Sequence, residues 1–164
     1  MQEISSNPQA DSESIWRPDV TVATIVARDG RFLVVEERVR GELVLNQPAG
    51  HLEPDESLIE AARRETLEET GWTVEVTHLV SIYQWTSSTG DQFVRFAFAA
   101  TALRHDPHQP LDTGIVRAVW LTRDEIASGT TRLRSPMVLK GINDWESGQR
   151  LPLNAVQRLG GMQS

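Results

Sequence analysis

The sequence predicts an α/β domain in which a β-sheet is covered on both faces by a few helices. Three observations lead there. β-Branched runs recur between turn signals from Asp19 to Leu121, two capping boxes mark helix starts among them, and 164 residues suffice for one core. Strands interleaved with so few helices favour a covered sheet over a helical bundle.

The elements follow in order. "DVTVATIVARDGRFLVVEE" is two β-branched runs joined by Asp29-Gly30, a two-residue hairpin signal. Glu42 to Asn46 adds a short strand, and Pro48, Gly50 and Pro54 mark "NQPAGHLEPDE" as an ordered loop. Ser57 and Glu60 make an S-x-x-E capping box and Gly71 is a stop signal, so a helix is expected over Leu58 to Thr70. Strands are expected at Val74 to Trp85, Gln92 to Ala102 and Ile115 to Leu121. Thr122 opens a short helix to Ala127 with a T-x-x-E box. Ser135-Pro136 reads as an N-cap followed by proline at the first helical position, and Val138, Leu139, Ile142 and Trp145 recur at helical spacing up to Gly148. The domain therefore spans residues 18–148, between a polar, acidic N-terminal tail (1–17) and a loose C-terminal tail (149–164).

Composition narrows the function classes. A hydrophobic share of 39% and a charged share of 24% fit a soluble globular chain. A net charge of −7 argues against a nucleic-acid binder, which needs a basic face to neutralise phosphates. An acidic protein can still bind phosphates through a divalent cation. There are no cysteines, which excludes disulfides and thiolate metal sites. No apolar run reaches the ~20 residues that span a bilayer, and the N-terminus lacks a signal-peptide pattern, so no membrane partner is expected and the cytoplasm is the default.

"RRETLEETG", residues 63–71, crowds Glu65, Glu68 and Glu69 just before the helix stop. On a wheel at ~100° per residue, Leu58, Ile59, Ala61 and Ala62 form the covered stripe. Glu65 and Glu69 continue it, Glu68 lies at its edge, and Glu60 and Arg63 point away. Exposed, a Glu65–Glu69 pair costs only ~0.2–0.5 kcal/mol. Partly buried and uncompensated, each carboxylate costs several kcal/mol or shifts its pKa upward. Mg²⁺ or Mn²⁺, ligated by oxygen, would remove that penalty, and Arg64 could orient Glu68 at i,i+4. The helix alone leaves two readings: a solvated acidic face, or a cation site.

The wider spacing bears on that choice. Gly50, five residues, Glu56, seven residues, Arg64-Glu65, two residues, Glu68-Glu69, one residue and Gly71 make a pattern that resembles the Nudix box. Seven identities at fixed spacing arise by chance at a given start about once in 10⁸. Two positions depart from it. Thr66 stands where an aliphatic residue is usual, its methyl free to pack and its hydroxyl to bond the preceding turn, and Trp72 is a bulky apolar residue after the glycine. Beyond the box, "FLVVEE", "NQPAGHLE", "QW", "RFAFA" and "LRSP" resemble the phosphatase J branch of that family over roughly Asp19 to Lys140.

The resemblance implies an α/β/α sandwich around a mixed sheet. It also implies an Mg²⁺- or Mn²⁺-dependent hydrolase of nucleoside tri- and diphosphates or thiamine-pathway pyrophosphates, a monomer or homodimer working on small molecules. Glu65 and Glu69 would be the principal metal ligands, with Glu68 direct or through water and the carbonyl of Gly50 completing the site. Glu56 would brace Arg64 and the loop, while water attacks phosphorus in line. Family members draw the general base from a box glutamate or from an acid before a late strand, which here means Glu68, the favoured candidate, or Asp112. Recognition would fall to the sheet face beside the helix, through Gln47, Tyr83, Trp85 and Arg95. Either ring could instead be core, and Arg95 points into solvent or a groove. His105 and His108 sit on a proline-rich loop and His51 in the box loop, all three read as structural rather than ligating. The alternatives are a nucleotide-sensing module without turnover and an ADP-ribose-type pyrophosphatase, whose proline marker after Gly71 is missing.

Overall fold

The computed structural model describes residues 15–160. Residues 1–14 of the expected N-terminal tail lie outside the described residues, and 15–17 are exposed. Strand β1 (Asp19–Arg28) turns through Asp29-Gly30 into β2 (Arg31–Val39), which turns through Arg40-Gly41 into β3 (Glu42–Asn46). Both turn pairs have positive φ, 51° and 72° then 52° and 85°, a hand that matches the twist of paired strands. The D-G pair announces the first turn; arginine in the second is a residue that turn preferences do not nominate. After β4 (Ala49–His51) a loop leads into α1 (Leu58–Thr70), with the bounds expected from the capping box and Gly71. Ser57 and Glu60 exchange side-chain-to-backbone bonds, and Gly71, in the left-handed conformation, donates to the Leu67 carbonyl at 2.8 Å.

Strands β5 (Trp72–Thr86) and β6 (Gln92–His105) form a long hairpin, followed by β7 (Ile115–Leu121), α2 (Arg123–Ala127), β8 (Arg132–Leu133) and α3 (Met137–Glu146). The sheet order is β5-β6-β1-β2-β3-β8, with β4 also on β1 and β7 also on β2. It is mixed, because β1 runs parallel to β6 and β3 parallel to β8 while the other pairs are antiparallel. Along β1, alternate side chains go to opposite faces. Val22 and Val26 join Ala61, Ala62 and Phe98 beneath α1, whereas Ile25 joins Ala97, Ala99, Val138 and Ile142 beneath α3. The two helices thus cover opposite faces, giving the expected α/β/α sandwich. No helix among the described residues is long and apolar enough to cross a membrane.

Thr66 shows how the helix docks. It is fully buried, and its hydroxyl donates back to the Ala62 carbonyl at 2.7 Å. With that proton engaged, the Thr24 hydroxyl on β1, 2.8 Å away, must be the donor to Thr66 Oγ1. The departure from the aliphatic residue is therefore matched by a second threonine on the sheet, and neither threonine hydroxyl is left without a partner.

Three expectations need correcting. Ala49–His51, expected as part of an ordered loop, is strand β4, because its backbone pairs antiparallel with Thr21–Ala23 of β1. Pro136 has helical dihedrals (φ −62°, ψ −19°), but no side chain caps α3; the Ser135 carbonyl accepts from Val138 at 3.3 Å while its hydroxyl is buried without a partner. The segment after Gly148 is not loose up to Val156. Leu151 and Leu79 exchange backbone hydrogen bonds of 2.8 and 3.0 Å, and Leu153 and Val156 pack on the core under α1. Polar residues around isolated apolar ones hid this strap, because its partners are distant strands. A chain ending at Gly148 should lose about 2–4 kcal/mol of unfolding free energy in urea, from those bonds and that apolar contact. A loss below about 0.5 kcal/mol would mean that the strap contributes nothing.

Candidate active site

Arg64 is the centre of the site. Its Nε and Nη2 donate to the two oxygens of Glu56 at 3.0 and 2.7 Å, a fork-to-fork pair. Nη1 reaches Glu65 at 2.8 Å and Glu68 at 3.0 Å, and Nη2 also donates to the His51 carbonyl at 3.0 Å. Glu56 accepts from the Glu53 N–H at 2.7 Å, which folds the loop back on itself. One guanidinium thus ties the loop before α1 to the acids on it. Hydrogen bonding to Glu56 above all raises the already high pKa of Arg64, and the same bond holds the Glu56 carboxyl below its ordinary value.

The acids lie where the wheel puts them. Glu65 and Glu69 are 8% and 7% exposed, and Glu68 is half-buried at the edge. Burial pushes both buried carboxyls up, Glu69 to about 8, although Glu69 accepts the Ala49 N–H at 2.9 Å. Asp112, weighed from sequence only as a base, joins them. Glu65, Glu68 and Asp112 each offer an oxygen within 4.8 Å of the others. Backbone bonds place it there: Asp112 N–H donates to the Glu68 carbonyl at 3.0 Å, and Ile115 N–H to the Asp112 carbonyl at 3.0 Å.

This donor set fits a hard divalent cation. Glu56, Glu65 and Glu68 share the single Arg64 guanidinium, and neither the buried Glu69 nor Asp112 makes an ion pair among the described residues. All the donors are oxygens, which suits Mg²⁺ or Mn²⁺. Gly50 adds a cradle, since a Cβ built there would fall inside the Glu65 carboxylate. Only glycine lets β4 approach so closely.

The recognition candidates divide. Gln47 does not face a groove: it is 2% exposed, donates to the Val138 carbonyl at 3.2 Å, and lies against Gly141 of α3. Tyr83 is likewise withdrawn, because its hydroxyl donates to Asp144 of α3 at 2.7 Å and its ring packs in the core beneath that helix. Trp85 does line an open cleft, together with Phe93, Arg40, Arg132, Arg134 and Ser135. Arg95 is buried (7% exposed), close enough to Glu69, Glu37 and Arg134 for their charges to bear on it, with burial pulling its pKa down to about 10. Phe93, Arg134 and Glu37 were missed, although "LRSP" contains Arg134, "FLVVEE" ends on Glu37 and Phe93 lies two residues before "RFAFA". His51 contributes its carbonyl, and the His105 ring packs on Trp72 at 4.9 Å.

Two outcomes follow from this geometry. Gly50→Ala should displace Glu65 and lower kcat/KM by about 10² or more with the fold retained by circular dichroism; undiminished turnover would remove Gly50 from the site. Glu69 also gives a pH signature. Its folded pKa of about 8 exceeds the ordinary 4.5, so its contribution to metal-free stability is full below 4.5 and is lost as pH rises through 8. A cation binds the ionised form, so the rise in Tm on adding Mg²⁺ should be larger at pH 8.5 than at pH 6. An equal rise at both would contradict this.

A model of the NUDIX domain family matches residues 16–140. The phosphatase NudJ of Escherichia coli K12 is 44% identical over 142 residues, 87% of this chain and 92% of the relative. A solved NUDIX hydrolase from Nitrosomonas europaea superposes with a TM-score of 0.85 at 46% identity, over 87% of this chain and 98% of that one. An ADP-ribose pyrophosphatase from Streptococcus suis shares the fold alone, with a TM-score of 0.63 and 16% identity over 82% and 96% of the two chains. Box spacing, fold and relatives agree, and the chain belongs to the NUDIX family of hydrolases.

Proposed function

We propose that this chain hydrolyses phosphoanhydride bonds of nucleoside tri- or diphosphates, or of thiamine-pathway pyrophosphates, in an Mg²⁺-dependent reaction that Mn²⁺ can support. The observation that carries the reading is the Arg64 fork, which holds Glu56 on one side and turns Glu65 and Glu68 toward Asp112 on the other. The match over 87% of this chain to a relative named a phosphatase supports the same class of chemistry.

Glu65 and Glu69, with Glu68 and the Gly50 carbonyl, would hold the cation. Such an ion, when bound, neutralises phosphate oxygens and lowers the pKa of water. The side chains do the rest. Arg64 keeps three carboxylates in fixed rotamers, so the site is organised before substrate arrives. Glu56 anchors Arg64 to the loop and so positions rather than reacts. Glu68 keeps one oxygen free of Arg64 and is the general base in this reading, taking a proton from the attacking water. Asp112, exposed across the cluster, is its alternative.

Incubation with Mg²⁺ and a panel of nucleotides, ADP-ribose and thiamine diphosphate should release orthophosphate from nucleotides or thiamine diphosphate. A preference for ADP-ribose with AMP as product would overturn the substrate assignment. Within that assay, Glu68→Gln should lower kcat by about 10² or more with KM little moved, and Asp112→Asn by less. The reverse ranking would transfer the base to Asp112.

A further inference from the structure

The loop that carries Glu56 is held from two sides. Toward the acids, Arg64 grips it through the Glu56 carboxylate and the His51 carbonyl, and Glu56 in turn accepts the Glu53 N–H. Behind it runs the strap that follows α3. Val156 to Arg158 form one wall of a narrow crevice of about 200 Å³, and Leu52, Glu56 and Ile59 belong to the other.

Short-range geometry delivers the strap to that place. Leu151 is tied to Leu79 of β5 by their two backbone hydrogen bonds. A single 3₁₀ turn, Leu153–Ala155, follows, and the Ala155 N–H donates to the Pro152 carbonyl at 3.0 Å. Residues three apart eclipse in such a turn. Leu153 and Val156 therefore face one way, onto the same core as Leu52, Leu58 and Ile59. Beyond them Arg158 lies 3.7 Å from Asp55, whose φ of 66° marks the bend of the loop. An ion pair so exposed contributes little, so the apolar contact of Val156 is the main support.

The consequence reaches the carboxylates. Glu56 engages two nitrogens of Arg64, and Arg64 fixes Glu65 and Glu68. A drift of about 1 Å at Glu56 passes to both acids, and displacements of that size cost up to about 10² in rate. We infer that the strap is a positioning element of the active site, with Val156 holding the Glu56 loop against Arg64. Val156 touches no reacting group and acts through Glu56. The inference rests on the phosphohydrolase reading for its kinetic consequence, and on the packing alone for its effect on the loop.

A strap that only stabilised the fold would leave kcat unchanged well below Tm. Ile142→Val is the comparison, because Ile142 is fully buried beneath α3 on the opposite face and its truncation also lowers stability. With Mg²⁺ saturating and each variant folded by circular dichroism, Val156→Ala should lower kcat about fivefold with KM little moved, and Ile142→Val should not. In a Glu56→Ala background the same change at Val156 should cost less than about twofold, because the group it acts through is gone. Wild-type kcat in Val156→Ala, an equal loss in Ile142→Val, or an undiminished loss beside Glu56→Ala would overturn the inference. Should Val156→Ala not fold, Val156→Thr, which keeps the volume, takes its place. Hydrogen exchange reads the loop without turnover. The Glu53 amide should exchange about tenfold faster in Val156→Ala and at the wild-type rate in Ile142→Val; an amide unmoved in Val156→Ala refutes the strap's role. Wild-type protein that cleaves neither nucleotides nor thiamine diphosphate refutes the phosphohydrolase reading instead, and the exchange measurement still decides the strap.

Discussion

A single arginine holds the site in shape. Arg64 carries its donors in a rigid plane, and among the described residues they meet Glu56, Glu65, Glu68 and the His51 carbonyl. Lysine could supply the charge but not the fork, because an ammonium cannot face two oxygens of one carboxylate while spreading to two others. The arrangement binds loop and helix together, yet one positive charge cannot balance the acids it gathers. Charge that the protein brings together and does not neutralise is the basis for expecting a cation there.

The fold serves that arrangement at three points. β4 is paired to β1 through Thr21–Ala23, which sets Gly50 against the helix where only a bare backbone fits. The Thr24–Thr66 hydroxyl pair fixes α1 on β1 one turn before Glu69. The loop before β7 is stitched to the end of α1 through the Glu68 carbonyl, which carries Asp112 into the cluster. Elements distant in sequence thereby converge within one helix length of Arg64. On the opposite face, α3 takes up Gln47 and Tyr83 and leaves Trp85 at the cleft.

Much of this was legible in the sequence wherever the cause was local. The capping box and Gly71 bound α1 because caps are made by neighbours, and the D-G pair placed the first hairpin for the same reason. The wheel put Glu65 and Glu69 inward because the apolar stripe of Ala61 and Ala62 is short and clear. What failed depended on partners far along the chain. Gln47 and Tyr83 look like polar groups on a sheet face, and only the position of α3 buries them. Asp112 carries no local mark of its proximity to Glu65. The Leu151–Val156 strap lacks periodicity because it packs as isolated contacts rather than as an element. Ser135 is the instructive failure: the local rule for an N-cap was met, yet the hydroxyl is left unpaired beside the cleft.

Whether these carboxylates enclose a divalent ion is reported directly by Mn²⁺ through its anomalous scattering. Crystals soaked in manganese should give a strong anomalous peak within ligation reach of Glu65 and Glu69, beside the Gly50 carbonyl, with Arg64 still joined to Glu56. A map with no peak there, while Glu65 and Glu68 remain paired to Arg64, would contradict the account.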